Sequence, residues 1–457
     1  MPFDPRTCIR LLKDSNPVQS FGKVTKVVGL VVEATGLKAS LGDVCHIIPE
    51  NKKDSPIAAE VVGFRDNSLL FMPYGEMRGV RPGSLIQNSS LPPLFPASSE
   101  LLGRTLDAFG NPLDKKAPIN PETMISLYAE PPAPLDRPRI DETLDVGVRC
   151  INSLITMGKG QRVGIMAGSG VGKSTLMGMM ARYTEADIIV MGLIGERGRE
   201  VLEFMERDLG KEGMERSCIV VATSDQPALV RMRAAYAATA VAEYFRDQGK
   251  NVLLMMDSIT RFAMASREIG LATGEPPTTK GYTPSVFAQL PRLLERAGRS
   301  DKGTITGIYT VLVDGDDFNE PIADAVRSIL DGHIVLTRQL ADKGHFPAID
   351  VLKSISRLRN DIIEKDLVKA GRILTNLLST YNSSEDMINI GAYSKGSNAE
   401  IDAAIQFNKP INEFLMQGIN EPESIMDSFT KMLQLAARAE QSMHTQKQGM
   451  EINPQQQ

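Results

Sequence analysis

The stretch Arg162–Tyr183, RVGIMAGSGVGKSTLMGMMARY, decides the fold of this chain. It begins as an apolar run, continues through a glycine-rich loop and ends in a segment with helical spacing. In a strand–loop–helix unit, the backbone amides of the loop and the positive end of the helix point at an anion. The stretch therefore predicts a phosphate-binding loop inside an α/β domain.

The residues of this loop have separate predicted roles. Its glycines allow a tight backbone because they carry no Cβ atom. Lys173 is expected to reach the β- and γ-phosphates of a nucleotide, and the Ser174 hydroxyl to bind Mg²⁺. Ala167 stands where the full pattern has its first glycine, which is the smallest possible departure. The predicted cofactor-binding residues of the loop are Gly168, Ser169, Gly170, Val171, Gly172, Lys173, Ser174 and Thr175.

Four further apolar runs are typical of buried parallel strands that helices cover on both faces. They are DIIVMGLIG, SCIVVAT, NVLLMMD and TITGIYTVLV. The third run ends in Asp257, which beside a phosphate loop is expected to hold a water molecule on Mg²⁺. The first run leads into Glu196 and Arg197, where a carboxylate could orient or deprotonate the attacking water. Taken alone, a Glu-Arg pair is more often part of the solvent-exposed surface.

The sequence pattern divides the chain into several predicted regions. Residues 23–90 contain short β-rich runs separated by turn residues, such as Asp66-Asn67-Ser68, which predicts a small β-barrel. Residues 91–360 are predicted to form the nucleotide-binding domain, and the proline-containing stretch SLPPLFP at its start reads as a linker. Residues 361–457 have helical periodicity and end in a loose polar tail, while residues 1–22 form an N-terminal segment. Two apolar helix faces are predicted in the C-terminal region: Ile363, Leu367, Leu374 and Leu378, and further on Ile425, Phe429, Met432, Leu433 and Ala436.

Composition limits the class of protein. The chain has 457 residues, of which 42% are hydrophobic and 23% charged, and its formal net charge of -5 argues against a nucleic-acid partner. The start of the chain has no signal-like apolar region, and no apolar run approaches the ~20 residues of a membrane span. We therefore expect a cytoplasmic protein. The cysteines lack metal-ligand spacing and are predicted to be reduced and buried; they are Cys8, Cys45, Cys150 and Cys218.

Longer stretches resemble one family, the catalytic subunits of rotary ATPases, and most of all the type III secretion ATPases. The resemblance extends from about Phe21 to the late 430s and is carried by GLIGERGREVLEF, AEYFRDQGKNVLLMMDSITRFAMASREI, GEPPTTKGYTPSVFAQLPRLLERAG and DGHIVLTRQLADKGHFPAIDVLKSISR. EVVGFRDNSLLFMPYGEMRGVRPGS and IGAYSKGSN favour the flagellar export branch. The resemblance implies an α/β fold with an N-terminal β-barrel, a central P-loop (RecA-like) parallel-sheet ATPase core and a C-terminal helical domain.

The resemblance also implies an ATPase that uses ATP and Mg²⁺. Glu196 matches the catalytic glutamate, and Arg197 is expected to sense or position the γ-phosphate. With Lys173 and the finger arginine they make up the catalytic set. Phe346 matches the aromatic position that stacks on adenine, and Arg357 matches the arginine finger that reaches into a neighbouring subunit's site. Without the resemblance, Phe346 would be interpreted as a core residue and Arg357 as a surface residue in a salt bridge.

The partners implied by the resemblance are those of an export motor. They are the other copies of a homo-hexamer, the stalk-like protein FliJ, the regulator FliH, the export gate proteins and chaperone–substrate complexes. The expected location is the cytoplasmic base of the flagellar export apparatus at the inner membrane. The acidic loop in VLVDGDDFNEPIAD, from Asp314 to Glu320, is expected to face the pore of the ring and contact the stalk, although locally it reads as a solvated turn.

Three alternatives remain at this stage. The homologous injectisome ATPase shares the fold and chemistry of the flagellar enzyme. A non-catalytic ring subunit would also fit the fold, but intact Lys173, Glu196 and Asp257 oppose it. A nucleic-acid translocase with the same core would need basic and stacking residues on the barrel, whereas the barrel aromatics lie in strand runs where core packing accounts for some of them.

Overall fold

The structure is a computed structural model and describes residues 20–49, 55–313, 317–318 and 320–452. A closed barrel is followed by a mainly parallel sheet with helices on both faces, and then by three long helices. The predicted fold class is therefore confirmed. Within the described residues, no helix is both long and apolar enough to cross a membrane.

Six antiparallel strands close the N-terminal barrel in the order β1-β2-β5-β4-β3-β6. Their bounds are β1 Phe21–Val28, β2 Val31–Thr35, β3 Val44–Ile48, β4 Ile57–Arg65, β5 Ser68–Pro73 and β6 Leu85–Leu91. Alternate apolar side chains fill the interior, among them Val32, Ile47 and Phe71, each fully buried. The predicted turn after β4 is present and carries Asp66 at a φ of 51°.

The stretch predicted as a linker is instead a paired strand. Leu94–Ala97 (β7) pairs antiparallel with Thr123–Ser126 (β9), and Phe95 is completely buried. The two strands form a sheet of their own, so both are edge strands, and an edge strand tolerates a proline that cannot donate a hydrogen bond. Burial of Phe95 outweighs the local signal of the prolines.

The central sheet has the strand order β19-β18-β12-β17-β15-β13-β14-β8, with β16 pairing beside β17. All five apolar runs of the sequence analysis are strands of it. The bounds are β8 Arg104–Leu106, β12 Arg162–Ala167, β13 Ile188–Ile194, β14 Ser217–Ala222, β15 Asn251–Asp257, β16 Gly298–Arg299, β17 Thr304–Leu312, β18 Gly332–Leu336 and β19 Ile355–Ser356. A separate two-stranded sheet pairs β10 (Thr143–Leu144) with β11 (Met157–Gly158).

Helices cover both faces of the central sheet. Their bounds are α1 Arg149–Leu154, α2 Lys173–Tyr183, α3 Gly198–Glu203, α4 Gly210–Glu215, α5 Ala228–Arg246, α6 Ile259–Thr273, α7 Pro284–Leu294, α8 Pro321–Ile329, α9 Arg338–Asp342 and α10 Arg359–Ile362. Successive residues of one strand enter opposite cores: Leu254 of β15 packs with α5 to α8, and Leu253 packs with α2. This arrangement explains why the strands are apolar without alternation.

Three long helices form the C-terminal region: α11 Lys365–Asn389, α12 Ala399–Leu415 and α13 Ile425–Ile452. Leu367, Leu374 and Leu378 are buried, as the helical spacing predicted. One predicted core residue is wrong, because Leu433 of α13 is 39% exposed. The buried stripe of that helix continues through Leu435 instead, since residues three and four apart share a helix face.

The cysteine prediction holds for the described thiols. Cys45, Cys150 and Cys218 are buried and free of disulfides. Burial raises the pKa of each of these thiols to about 12, so all three stay protonated and inert near neutral pH. Cys8 lies outside the described residues.

A buried ion pair joins helix α5 to the segment after α7. Arg296 is only 1% exposed and donates from Nε and Nη2 to the two carboxylate oxygens of Glu243, at 2.9 and 2.5 Å. Its Nη1 donates to the carbonyl oxygen of Leu127 at 2.6 Å. Every terminal nitrogen of the guanidinium therefore has an acceptor, which is what makes a buried charge tolerable.

Removing one partner of this pair should be strongly destabilising. Arg296→Ala leaves the Glu243 carboxylate buried without a counter-charge, and such a change costs about 3–5 kcal/mol of unfolding free energy. Urea denaturation of the nucleotide-free chain should show a lower midpoint. Lys409→Ala, which removes an exposed pair with Glu413 (3.9 Å), is the control and should barely change the midpoint. Equal midpoints for the two variants would contradict a stabilising role.

Candidate active site

The phosphate-binding loop has the geometry that its sequence predicted. Strand β12 ends at Ala167, and helix α2 begins at Lys173. Gly170 and Gly172 have φ angles of 78° and 93°, in the left-handed region that favours glycine. An added Cβ at Gly170 would meet nothing within 4 Å, so its requirement for glycine is conformational. The backbone amides of the loop can therefore point toward an anion that binds at the N-terminal end of α2.

A cavity of about 450 Å³ opens in front of this loop. The predicted residues that line it are Gly168, Ser169, Gly170, Gly172, Lys173, Ser174, Thr175, Glu196 and Arg197. Val171 does not line the cavity, because its side chain is 2% exposed and packs in the core under α2. Only its backbone is left to contribute to ligand binding.

Lys173 lines the cavity and contacts Asp257, which is not itself among the lining residues. The Lys173 Nζ forms a short ion pair with Asp257 Oδ1, and both side chains are largely buried. The same carboxylate oxygen accepts a hydrogen bond from Thr310 Oγ1 at 2.6 Å. The lysine charge is therefore compensated by the carboxylate that is predicted to act on the metal.

Glu196 follows the end of β13 and lines the cavity, and its pKa is shifted from the ordinary glutamate value. Burial, reinforced by the negative charge of Asp257, raises the pKa of Glu196 to about 7, although Lys173 opposes the shift. A hydrogen bond with Glu200 also favours the protonated form. A carboxyl group poised near neutral pH can both accept and release a proton, which suits a general base.

Three lining residues with polar side chains were not singled out in the sequence: Glu200, Ser224 and Arg261. Arg261 is in the first turn of α6, and the Cβ that an alanine at Gly195 would add lies 2.9 Å from its Cβ. Among the described residues, no group accepts a hydrogen bond from its buried Nε. The sequence did contain a signal for Arg261, because it follows Asp257, the last residue of β15, by four residues. The first turn of a helix that follows a strand lies at the same edge of the sheet as the end of that strand.

Phe346 lies beside the phosphate loop. Its ring atoms are 3.9 Å from the point where a Cβ on Gly172 would stand, and the side chain is 48% exposed. Its carbonyl oxygen accepts a hydrogen bond from the Gln417 amide at 3.0 Å, which links it to the C-terminal helices. An exposed aromatic face next to the start of α2 is available for stacking on a nucleotide base.

Arg357 is not brought to this cavity. Its amide bonds the Asp331 carbonyl, and the Asp331 amide bonds the carbonyl of Arg162, both at 2.9 Å. Arg162 begins β12, whereas the phosphate loop follows the other end. Five steps of about 3.3 Å separate the two ends by roughly 17 Å. Arg357 is exposed and can therefore act only on something outside its own phosphate site.

The site offers few protein ligands for a cation. Ser174 contributes a hydroxyl and Asp257 a carboxylate, both hard oxygen donors of the kind that Mg²⁺ prefers. In the part of the chain that the structure describes, no cluster of three or more His, Cys, Asp or Glu side chains is arranged for a metal. The two oxygens fit a Mg²⁺ ion that completes its shell with water and phosphate, as Mg²⁺ commonly does.

The acidic loop is described only in part. Asp314, Gly315 and Asp316 lie outside the described residues. Asp317 forms an ion pair with Lys280 at 3.4 Å. Glu320 accepts hydrogen bonds from two amides at the start of α8 and so caps that helix. Contact of this loop with a stalk stays a prediction.

Three protein-family models match the chain. The nucleotide-binding domain of the ATP synthase alpha/beta family matches residues 147–356. The beta-barrel domain of the same family matches residues 24–89, and the T3SS EscN ATPase C-terminal domain matches residues 363–434.

Relatives and solved structures agree with these matches. The chain is 56% identical over 435 residues to the flagellum-specific ATP synthase of Bacillus subtilis, which covers 95% of this chain and 99% of that one. It is also similar to the assembled ATPase EscN of the enteropathogenic E. coli type III secretion system, with a TM-score of 0.87 and 45% identity over 91% of this chain and 100% of that one. EscN in complex with its central stalk EscO matches with a TM-score of 0.84, 45% identity and the same coverage of both chains.

The raised pKa of Glu196 should be visible in the pH dependence of stability. The native chain keeps the Glu196 proton up to about pH 7, whereas the unfolded chain loses it near the ordinary glutamate pKa. As the pH rises between these two values, the unfolded state is increasingly favoured and the free energy of unfolding falls. Glu196→Gln cannot ionise. The unfolding temperature of the nucleotide-free variant minus that of the parent should therefore increase from pH 5 to pH 8.

Glu203→Gln, an exposed glutamate at the end of α3, serves as the control. Its difference in unfolding temperature from the parent should stay the same at both pH values. A difference for Glu196→Gln that is equally independent of pH would contradict a raised pKa at this carboxyl group.

Proposed function

Because the chain belongs to the flagellum-specific ATP synthases, type III secretion members of the ATP synthase alpha/beta family, we propose that this ATPase is the ring motor of flagellar protein export. The observation that carries the chemistry is a single cavity that holds the phosphate loop, Lys173 and a glutamate with a pKa of about 7. The alternative, an injectisome ATPase, is less well supported, since identity is 56% to the B. subtilis flagellar relative and 45% to EscN.

ATP binding exchanges one partner of Lys173 for another. The β- and γ-phosphates take the place of Asp257 on the ammonium group, while the loop amides donate to the phosphate oxygens. Phe346 stacks on the adenine. Ser174 and Asp257 would hold Mg²⁺, the latter through water, and the ion would supply positive charge against the phosphates.

Hydrolysis needs a proton acceptor and charge stabilisation. A water molecule attacks the γ-phosphorus, the bond from phosphorus to the ADP oxygen breaks, and Glu196 accepts the proton from the water. Arg197 and Arg261 border the same cavity and stabilise the charge that spreads over the γ-phosphate oxygens. A bound Mg²⁺ would add positive charge near Glu196 and so favour the ionised carboxylate that accepts this proton.

The position of Arg357 supports a site shared between subunits. A finger at the opposite end of β12 from the phosphate loop serves a neighbouring chain if copies are arranged head to tail, and such a contact closes into a ring. EscN, to which the chain is similar, is described as assembled and in complex with a central stalk. By analogy we assign this chain to a homo-hexamer around a FliJ-like stalk.

The remaining partners follow from the same function. FliH would regulate the ring, the export gate proteins would receive the substrates, and chaperone–substrate complexes would be released at the ring. This places the protein in the cytoplasm at the membrane base of the export apparatus.

Replacing Glu196 should separate ATP binding from hydrolysis. Glu196→Gln keeps the size of the side chain but cannot accept a proton, so turnover should fall by about 10²-fold or more. Equilibrium binding of MgATP should be retained within a few-fold. Glu203→Gln is the matched control and should hydrolyse ATP at the parent rate. Near-parent turnover in Glu196→Gln would remove the residue from the catalytic set.

Mixing two inactive variants tests the shared site. Lys173→Ala removes the charge that meets the phosphates, and Arg357→Ala removes a finger whose loss can cost ~10³-fold in turnover. Each variant alone should be inactive. Rings formed from both should regain activity at interfaces where an intact finger meets an intact loop, measured as ATPase rate against mixing ratio. No recovery in rings shown to be mixed would contradict a site in trans.

A further inference from the structure

One arginine contacts the phosphate loop from outside the cavity. The Arg338 Nη2 donates a hydrogen bond to the carbonyl oxygen of Ser169 at 3.1 Å. Arg338 is exposed and is not among the residues that line the cavity. It therefore touches the back of the loop rather than the space where phosphates would bind.

The strand register dictates this contact. β12 and β18 are parallel neighbours in which Ala167 pairs with Leu336. Ser169 and Arg338 each follow two residues after these partners, so they leave the same edge of the sheet side by side. Arg338 is also the first residue of α9, and the rigid start of a helix limits where its side chain can reach.

The Ser169 carbonyl and the Gly170 amide belong to one peptide unit. In a trans peptide the C=O and N–H bonds point in opposite directions, so a hydrogen bond to the carbonyl from behind directs the N–H of Gly170 toward the cavity. Gly170 has a φ of 78°, and glycine accepts either sign of φ at little cost. Nothing intrinsic to this glycine therefore prevents the peptide unit from turning over, which would aim its N–H away from a phosphate.

We propose that Arg338 is a positioning residue that holds the Ser169–Gly170 peptide in the orientation that binds phosphate. This rests on the proposed nucleotide function of the cavity. The segment that begins with Arg338 reaches Phe346 eight residues later, beside Gly172. One short segment thus contacts the phosphate end and the base end of the nucleotide site together.

A positioning role predicts a specific kinetic signature. Arg338→Ala should raise the KM for ATP and weaken binding of MgADP, measured by calorimetry on the full chain, by about tenfold, which is 1.4 kcal/mol. The kcat should stay within about twofold, because a loop with bound phosphate is already in the productive orientation. Arg338→Lys keeps a donor of similar length and should recover at least half of the lost binding free energy. Arg338→Met keeps the length without a donor and should not.

Salt separates a hydrogen bond from a general effect of positive charge. The long-range field of an exposed charge is screened at about 0.5 M salt, whereas loss of a direct hydrogen bond persists. The ratio of MgADP affinities between parent and Arg338→Ala should therefore be the same at low and high salt. Gln339→Ala, at the next exposed position of α9, is the matched control and should bind like the parent.

Several outcomes would overturn this inference. They are an unchanged KM for Arg338→Ala, a fall in kcat as large as the rise in KM, a ratio that collapses toward one in high salt, and equal affinities for Arg338→Lys and Arg338→Met. Lys173→Ala distinguishes this failure from failure of the proposed function. If Lys173→Ala abolishes MgADP binding while Arg338→Ala changes nothing, the site stands and only the role of Arg338 fails.

Discussion

The ion pair between Lys173 and Asp257 depends on strand order, and the rest of the site depends on that pair. The loop after β12 leads to the lysine at the start of α2, β15 ends in the aspartate, and both strands flank β17, whose Thr310 donates to the same carboxylate. A buried charge is tolerable only when it is paired and hydrogen-bonded. In this order the two side chains meet at the carboxyl edge of the sheet, across the end of β17.

The same pair sets the electrostatics around Glu196. The carboxylate of Asp257 discourages a second negative charge nearby, while the ammonium group of Lys173 encourages it. On the proposed function, phosphate and Mg²⁺ would change both influences at once, since the lysine would turn to the phosphates and the aspartate to the metal shell. Protonation of the proposed base would then be coupled to occupancy of the site through direct neighbours, with no need for a distant signal.

Much of the fold was predictable because burial on both faces makes parallel strands visibly apolar. β13 and β15 could be identified from their apolar composition alone. The loop could be identified because glycine is the residue that readily adopts the positive φ angles found there. The segment around Phe95 was misassigned because prolines signal linkers and edge strands equally well, and only the distant partner strand decides between them. Leu433 was misassigned since spacing defines a helical face to within one residue.

The site was predictable to the extent that its residues sit in local motifs. Arg261 escaped notice because its role depends on the turn of α6 back toward Gly195. The burial of the Val171 side chain away from the cavity escaped notice for the opposite reason, since a motif names positions without saying which atoms face the ligand. The contact of Arg338 with Ser169 joins residues 169 positions apart and can be seen only through the pairing of β12 with β18.

The distance between Arg357 and the phosphate loop has a consequence for the life of the chain before assembly. On the proposed function, a newly made single chain has all the groups that bind nucleotide, but its own Arg357 cannot reach the phosphates. At low concentration such a chain would hydrolyse ATP slowly, because a finger could be supplied only by a second copy. Assembly would then itself be the activating step, and free subunits would not deplete ATP even without a dedicated inhibitor.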